Sequence, residues 1–158
     1  MNLQFKKWIA WVFVGLWMGV IFYLSHQPAD ESSALSSGIV QSIISAIETI
    51  TRTSISDTDW MHYIVRKGAH LFAYFFLAIL FMNACKQMGW KRIYQVIIAL
   101  VGCALYATTD EVHQLFIPGR SGEVKDVLID TVGASIGIVT FLVMHTWIER
   151  FNRNKKSA

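Results

Sequence analysis

Apolar residues gather into four long segments: Trp8 to Leu24, about Tyr63 to Cys85, about Ile93 to Thr109 and about Val127 to Trp147. At a rise of about 1.5 Å per residue, a helix of each length crosses most or all of the hydrocarbon layer of a bilayer. The second segment carries Arg66, Lys67 and His70 in its first turns, and the fourth opens with Asp126 and Asp130, so both are clean only in their later halves. The third ends abruptly. After a run without charge, Asp110, Glu111, His113 and Gln114 arrive together, and Pro118 with Gly119 then turns the chain.

Between the first two segments the pattern changes. Ser25 to Met61 is polar, beginning S-H-Q-P-A-D-E-S-S, and from Ala34 to Ile50 it sets Leu35, Ile39, Ile43, Ile47 and Ile50 at helical spacing among Ser and Gln. This predicts an amphipathic helix lying on the membrane surface or over the bundle, with an ordinary packed helix as a reading of equal standing. The expected fold is all-α, a single domain over 1–158. It is an integral membrane bundle of four transmembrane helices with an extracytoplasmic amphipathic helix between the first and second.

Composition supports that class. With 54% hydrophobic and 16% charged residues in 158, and a mean hydropathy of +0.42, the chain holds more apolar surface than a soluble core of this size would bury. A net charge of +3 would suit a nucleic-acid binder, but the cations cluster at the chain ends and in one short loop rather than along a groove, so no nucleic acid is expected. The clusters Lys6 and Lys7, then Lys86, Lys91 and Arg92, then Arg150, Arg153, Lys155 and Lys156 predict cytoplasmic locations, with both termini inside. The connections holding Asp30, Glu31, Glu48, Asp57 and Asp59 against Arg52, and Glu123 and Asp126 against Arg120 and Lys125, are expected outside. The first segment resembles a secretory signal, yet its length, Trp8, Trp11 and Trp17, and the lack of a small-x-small cleavage site predict a retained helix. Cys85 and Cys103 fall in or beside apolar runs and are expected to act as small hydrophobes.

This orientation brings every unusual polar group to the outer end. In the second helix, Lys67, His70 and Tyr74 share a face at i, i+3 and i+7, with Gly68 and Ala69 permitting close approach, while Arg66 is expected to snorkel outward as an anchor. In the third, Asp110, His113 and Gln114 share a face and Glu111 adjoins it. In the fourth, Asp126, Asp130, Gly133 and Gly137 form a stripe of two carboxylates above two glycines, and Asp130 requires a cation such as Lys67 or Arg120. The planar fork of Arg120 suits a phosphate or carboxylate, or equally an internal Arg–Asp closure of its loop. Ionisable groups at that depth are costly unless they face protein or a wet cavity, so a functional site is the default expectation.

The runs R-K-G-A-H-L-F-A-Y from Arg66, Y-A-T-T-D-E-V-H-Q-L-F-I-P-G-R from Tyr106 and D-V-L-I-D-T-V-G-A-S-I-G from Asp126, with L-S-H-Q-P after the first helix, resemble the VanZ-like family of bacterial membrane proteins. D-E-x-H-Q alone would be a weak sign; the order and spacing of all four across nearly the whole chain are specific. The resemblance implies a small integral protein of the bacterial cytoplasmic membrane. Its family takes its name from a member associated with low-level resistance to the glycopeptide teicoplanin, but it supplies no settled reaction.

Chemistry is therefore argued from the residues. One expectation is an enzyme at the outer leaflet acting on an anionic lipid or lipid-linked envelope precursor. Asp110 or Glu111 would serve as general base and His70 or His113 as proton donor or acceptor, while Lys67, Tyr74, Gln114, Arg120, Asp126 and Asp130 bind substrate. Asp110, Glu111, His113, Asp126 and Asp130 offer nitrogen and oxygen donors, but no H-E-x-x-H spacing occurs, so no metal is assigned and the cofactor is left open. The alternative is a non-catalytic membrane protein in which the same cluster is a structural lock that presents an outer surface to a lipid, a cell-wall intermediate or another membrane protein; in either reading a homodimer is open. A transporter is disfavoured by four spans, one polar end and no pair of broken helices.

Overall fold

The computed structural model describes residues 3–52 and 58–157; Asp57 and the side chains of Lys6, Leu35 and Lys156 lie outside the described set. The chain forms five helices: α1 (Leu3–Ser25), α2 (Ala29–Thr51), α3 (Asp59–Gln87), α4 (Arg92–Gln114) and α5 (Val124–Ser157). No strand occurs among the described residues. Each predicted apolar segment lies inside one helix, and each helix outruns its segment by taking in the polar flanks. α3 runs through Arg66 to His70, and α4 runs through Asp110 to Gln114. In hydrocarbon every backbone polar group must be satisfied within the segment, which favours continuing the helix through those charges.

All five helices, α2 included, are long and apolar enough to cross a membrane. Side chains such as Phe13, Leu16, Phe72, Phe76, Val101, Leu128 and Val139 are exposed on the flanks of four of them. So much outward apolar surface is untenable in water and suits lipid.

α1, α3, α4 and α5 share one core, which includes Val14, Ile21, Tyr74, Leu77, Met82, Cys103, Ala107 and Ala134. α3 makes its most extensive contact with α5. That approach rests on two glycines, because a Cβ on Gly133 would strike the carbonyl of Leu71 and one on Gly137 the carbonyl of Phe75. Gly68, expected to serve close packing, instead faces open space, so the small residues that matter here belong to α5. Trp17 donates its indole N–H to the Ala73 carbonyl at 2.9 Å, and Tyr106 donates its hydroxyl to the Met18 carbonyl at 2.6 Å, tying α1 to α3 and α4. Cys85 and Cys103 are buried free thiols within this packing.

α2 packs chiefly on α3. The expected stripe is rotated: Val40 and Ile44, with Ile47 beside them, pack on Met61 and Val65, while Ile39, Ile43 and Ile50 are 53%, 39% and 83% exposed. Neighbouring helix positions differ by about 100°, so a shift of one residue selects a different face. The start of α2 is held by the loop before α5, where the Ala29 amide donates to the Pro118 carbonyl at 3.3 Å.

Candidate functional site

The polar groups meet where α3 and α5 begin and α1 and α4 end. Lys67 forms an ion pair with buried Asp126 and a longer one with Glu123 at 3.4 Å. One turn deeper, His70 Nδ1 lies 3.5 Å from Asp130 Oδ1. The partner of Asp130 is thus His70, not Lys67 or Arg120. Two parallel rungs form because residues three apart on α3 face residues four apart on α5, and the glycines below hold the two helices close.

α4 supplies the third wall. Glu111 is buried, and its Oε2 accepts the backbone N–H of Glu123 at 2.8 Å. The loop reaches it because Gly122 carries no side chain; a Cβ there would stand 2.5 Å from the Glu111 carbonyl oxygen. Gln114, fully buried, donates to Ser25 Oγ at 2.9 Å and to Asp110 Oδ2 at 3.4 Å, joining α4 to α1. His113 turns away from this group. Its Nε2 lies 3.1 Å from His26 Nδ1, the two rings stack, and Phe22 covers the His113 ring at 4.6 Å.

Beside these contacts lies a cavity of about 400 Å³. Ile21, Leu24 and Ser25 of α1, Ser32, Ser36 and Ile39 of α2, and Val65, Ala69, Ala73 and Tyr74 of α3 make its mostly apolar walls, while Arg66, His70, Asp110 and Arg120 bring charge to it. Arg120 donates to the Leu24 carbonyl at 3.2 Å rather than closing its loop on an Asp. Burial, and the like charge of Arg66 nearby, hold its guanidinium below the usual arginine range.

Arg66 is therefore not the outward anchor expected of it. It is half-buried and lines the cavity, with its Nε lacking a hydrogen-bond partner among the described residues, as does Arg120 Nε. The signal was present in the spacing, since Arg66, Ala69, His70 and Ala73 fall at i, i+3, i+4 and i+7. Glu123 is another residue the sequence reading passed over as a site member, as is Ser25. Glu123 contributes a side chain to Lys67 and its amide to Glu111.

The cluster divides by whether its atoms are satisfied. Lys67, Asp126 and Glu123 close on one another, and Ser25 accepts from the Gln114 amide. Arg66, Arg120, Tyr74, Asp110, Glu111, Gln114 and Asp130 each keep at least one buried polar atom without a hydrogen-bond partner among the described residues. Buried polar atoms are almost always paired with protein, ordered water or an ion, so these are the atoms at which a bound group would be satisfied.

Long apolar helices joined by short polar connections, with charge drawn into one end, define a multi-pass helical membrane protein. Residues 10–145 match the family described as VanZ/LLP1, and the chain belongs to that family. No curated protein and no solved structure matches it.

Proposed function

We propose that this protein binds an anionic lipid or lipid-linked cell-envelope precursor at the outer leaflet of the bacterial cytoplasmic membrane, and acts on it there. The observation that carries this reading is the pair of arginines, Arg66 and Arg120, bordering one largely apolar cavity with a partnerless buried Nε on each. Two guanidiniums beside one another repel unless an anion lies between them, and their planar forks fit phosphate oxygens. The apolar walls suit acyl or prenyl chain. Proton transfer within this reading falls to Asp110, Glu111 and His70, which stand beside the cavity or its wall. His113, paired with His26, takes no direct part.

The topology that goes with it has four crossings, α1, α3, α4 and α5, with both termini cytoplasmic and α2 outside as a cover. Two features support it. The Lys and Arg clusters lie at the end opposite the cavity. In addition, α2 starts beside Pro118 at the polar end and only residues 52–58 separate it from α3, which also starts there. Seven residues reach at most about 25 Å, whereas α2, at about 1.5 Å per residue, is about 35 Å long. The shortness of that connection supports an α2 that stays on the outer side.

A second reading, the structural lock, is favoured by the closed contacts of Lys67, Asp126, Gln114 and Ser25. It accounts for those residues and leaves the arginines unexplained.

The test is native mass spectrometry of the full chain in detergent with phosphatidylglycerol, a polyprenyl phosphate and phosphatidylcholine. Retention of either anionic lipid over phosphatidylcholine is expected, with Arg66→Gln and Arg120→Gln each reducing it and the double variant removing it. Equal retention of all three, or indifference to both substitutions, defeats the proposal. An effect on teicoplanin susceptibility would follow only if the precursor is the ligand, and is read as a change in inhibitory concentration on expression.

A further inference from the structure

Anion binding leaves part of the site unexplained. His70, Glu111 and Asp130 bring one imidazole nitrogen and two carboxylate oxygens together, with no two of the three donor atoms farther apart than 4.8 Å. They come from three different helices, α3, α4 and α5. Two of the three are acids, which would repel a phosphate.

The acids themselves are inadequately paired. Asp130 is fully buried, and neither of its carboxylate oxygens has a hydrogen-bond partner among the described residues; Glu111 Oε1 is in the same position. The 3.5 Å between His70 Nδ1 and Asp130 Oδ1 exceeds the roughly 2.7–3.2 Å of an N–H···O bond. Lys67 is committed to Asp126 and Glu123. Two buried carboxylates so close together call for a shared proton, a charged His70 or a bound cation, and a cation held by all three side chains satisfies every one of these atoms at once.

We propose that His70, Glu111 and Asp130 form a site for a divalent transition-metal ion, Zn²⁺, at the junction of α3, α4 and α5. One imidazole with two carboxylates is a donor set for ions of intermediate softness, whereas Mg²⁺ and Ca²⁺ favour oxygen alone. Bonds of about 2.1 Å put neighbouring donors of a tetrahedral ion about 3.4 Å apart. The His70–Asp130 separation of 3.5 Å already fits, and Glu111 needs only a small side-chain movement. Three protein ligands leave a coordination position for water or a ligand oxygen, as catalytic rather than structural sites do. Because His70 also lines the cavity, that position has access to a group held by Arg66 and Arg120.

The experiment uses full-length protein in detergent, stripped with EDTA and titrated with Co²⁺ as a coloured substitute, then with Zn²⁺ in competition. Saturable binding near one equivalent per chain is expected, with a visible Co²⁺ band that Zn²⁺ displaces. Asp130→Asn and Glu111→Gln should each weaken binding by more than the roughly 10- to 100-fold that losing an outer partner of a ligand costs. His70→Gln should remove the band. His113→Gln and His145→Gln, whose rings lie against His26 and Glu149, serve as controls and should bind as the parent does. Circular dichroism and gel filtration identify folded variants, and Glu111→Gln carries the test if Asp130→Asn does not fold. The site is refuted by absence of saturable binding, by binding that survives all three ligand substitutions, or by loss in either control. None of these readouts involves lipid, so the metal and the anion proposals fail separately.

Discussion

Gly133 on α5 meets the backbone carbonyl of Leu71 on α3 so closely that a Cβ at that position would overlap the oxygen. Gly133→Ala must therefore push the two helices apart, at a cost of about 1–3 kcal/mol, the usual range for overpacking. Gly68→Ala, whose Cβ would meet nothing within 4 Å, is expected to be neutral or slightly stabilising. Thermal unfolding of both variants in detergent checks the contrast, and equal midpoints would contradict this packing.

Lys67→Met leaves Asp126 buried without its cation. Breaking a buried ion pair in this way costs about 3–5 kcal/mol, and the partial exposure of Lys67 favours the lower end. Adding Asp126→Asn to Lys67→Met should recover much of the loss. A double-mutant cycle on unfolding free energies measures the coupling, and additive single effects would show that the pair does not stabilise the fold.

Gln114→Leu removes the donor that joins Ser25 to Asp110 and strands both in a buried place. The expected cost is about 1–3 kcal/mol, that of leaving buried polar groups unsatisfied. Ser25→Ala, which removes one acceptor from the same amide, should cost less. Unfolding by SDS titration ranks the two, and the reverse order would place the main burden on Ser25.

Single cysteines at Ile50, Ser121 and Lys91, all exposed, test the four-crossing topology. A membrane-impermeant thiol reagent applied from outside should label positions 50 and 121, and leave 91 unlabelled until the membrane is opened. Were α2 to cross, 91 would be labelled from outside while 50 and 121 stayed shielded, because α3 separates 50 from 91 in either topology. The native Cys85 and Cys103 are buried and should contribute little background.

The four long apolar segments were legible because hydrocarbon demands length and sequence displays it. The two rungs between α3 and α5 were half legible. The spacing of Lys67 with His70, and of Asp126 with Asp130, put each pair on one face, but the register between two helices decides who meets whom. Gly133 and Gly137 set that register against backbone atoms of α3, which no side-chain pattern reveals.

Rotation explains the other misreadings. At about 100° per residue, Asp110, Glu111 and Gln114 span one inward arc, and His113 falls roughly 110° from its centre, toward His26. α2 is apolar on more than one side, so its periodicity left open which isoleucines would pack. Arg66 was ambiguous for a different reason: a long guanidinium side chain near a helix end can extend to the interface or fold inward, and only the cavity beside it distinguishes the two.

Ser32, Ser36 and Ile39 wall the cavity from a helix that leans chiefly on one neighbour, while the other four helices interlock. A tilt of that single lightly held rod would join the arginines to the surrounding acyl chains without disturbing the bundle. Traffic would then be sideways, within the plane of the bilayer, and a long-tailed guest would enter headgroup and tail together without first dissolving in water.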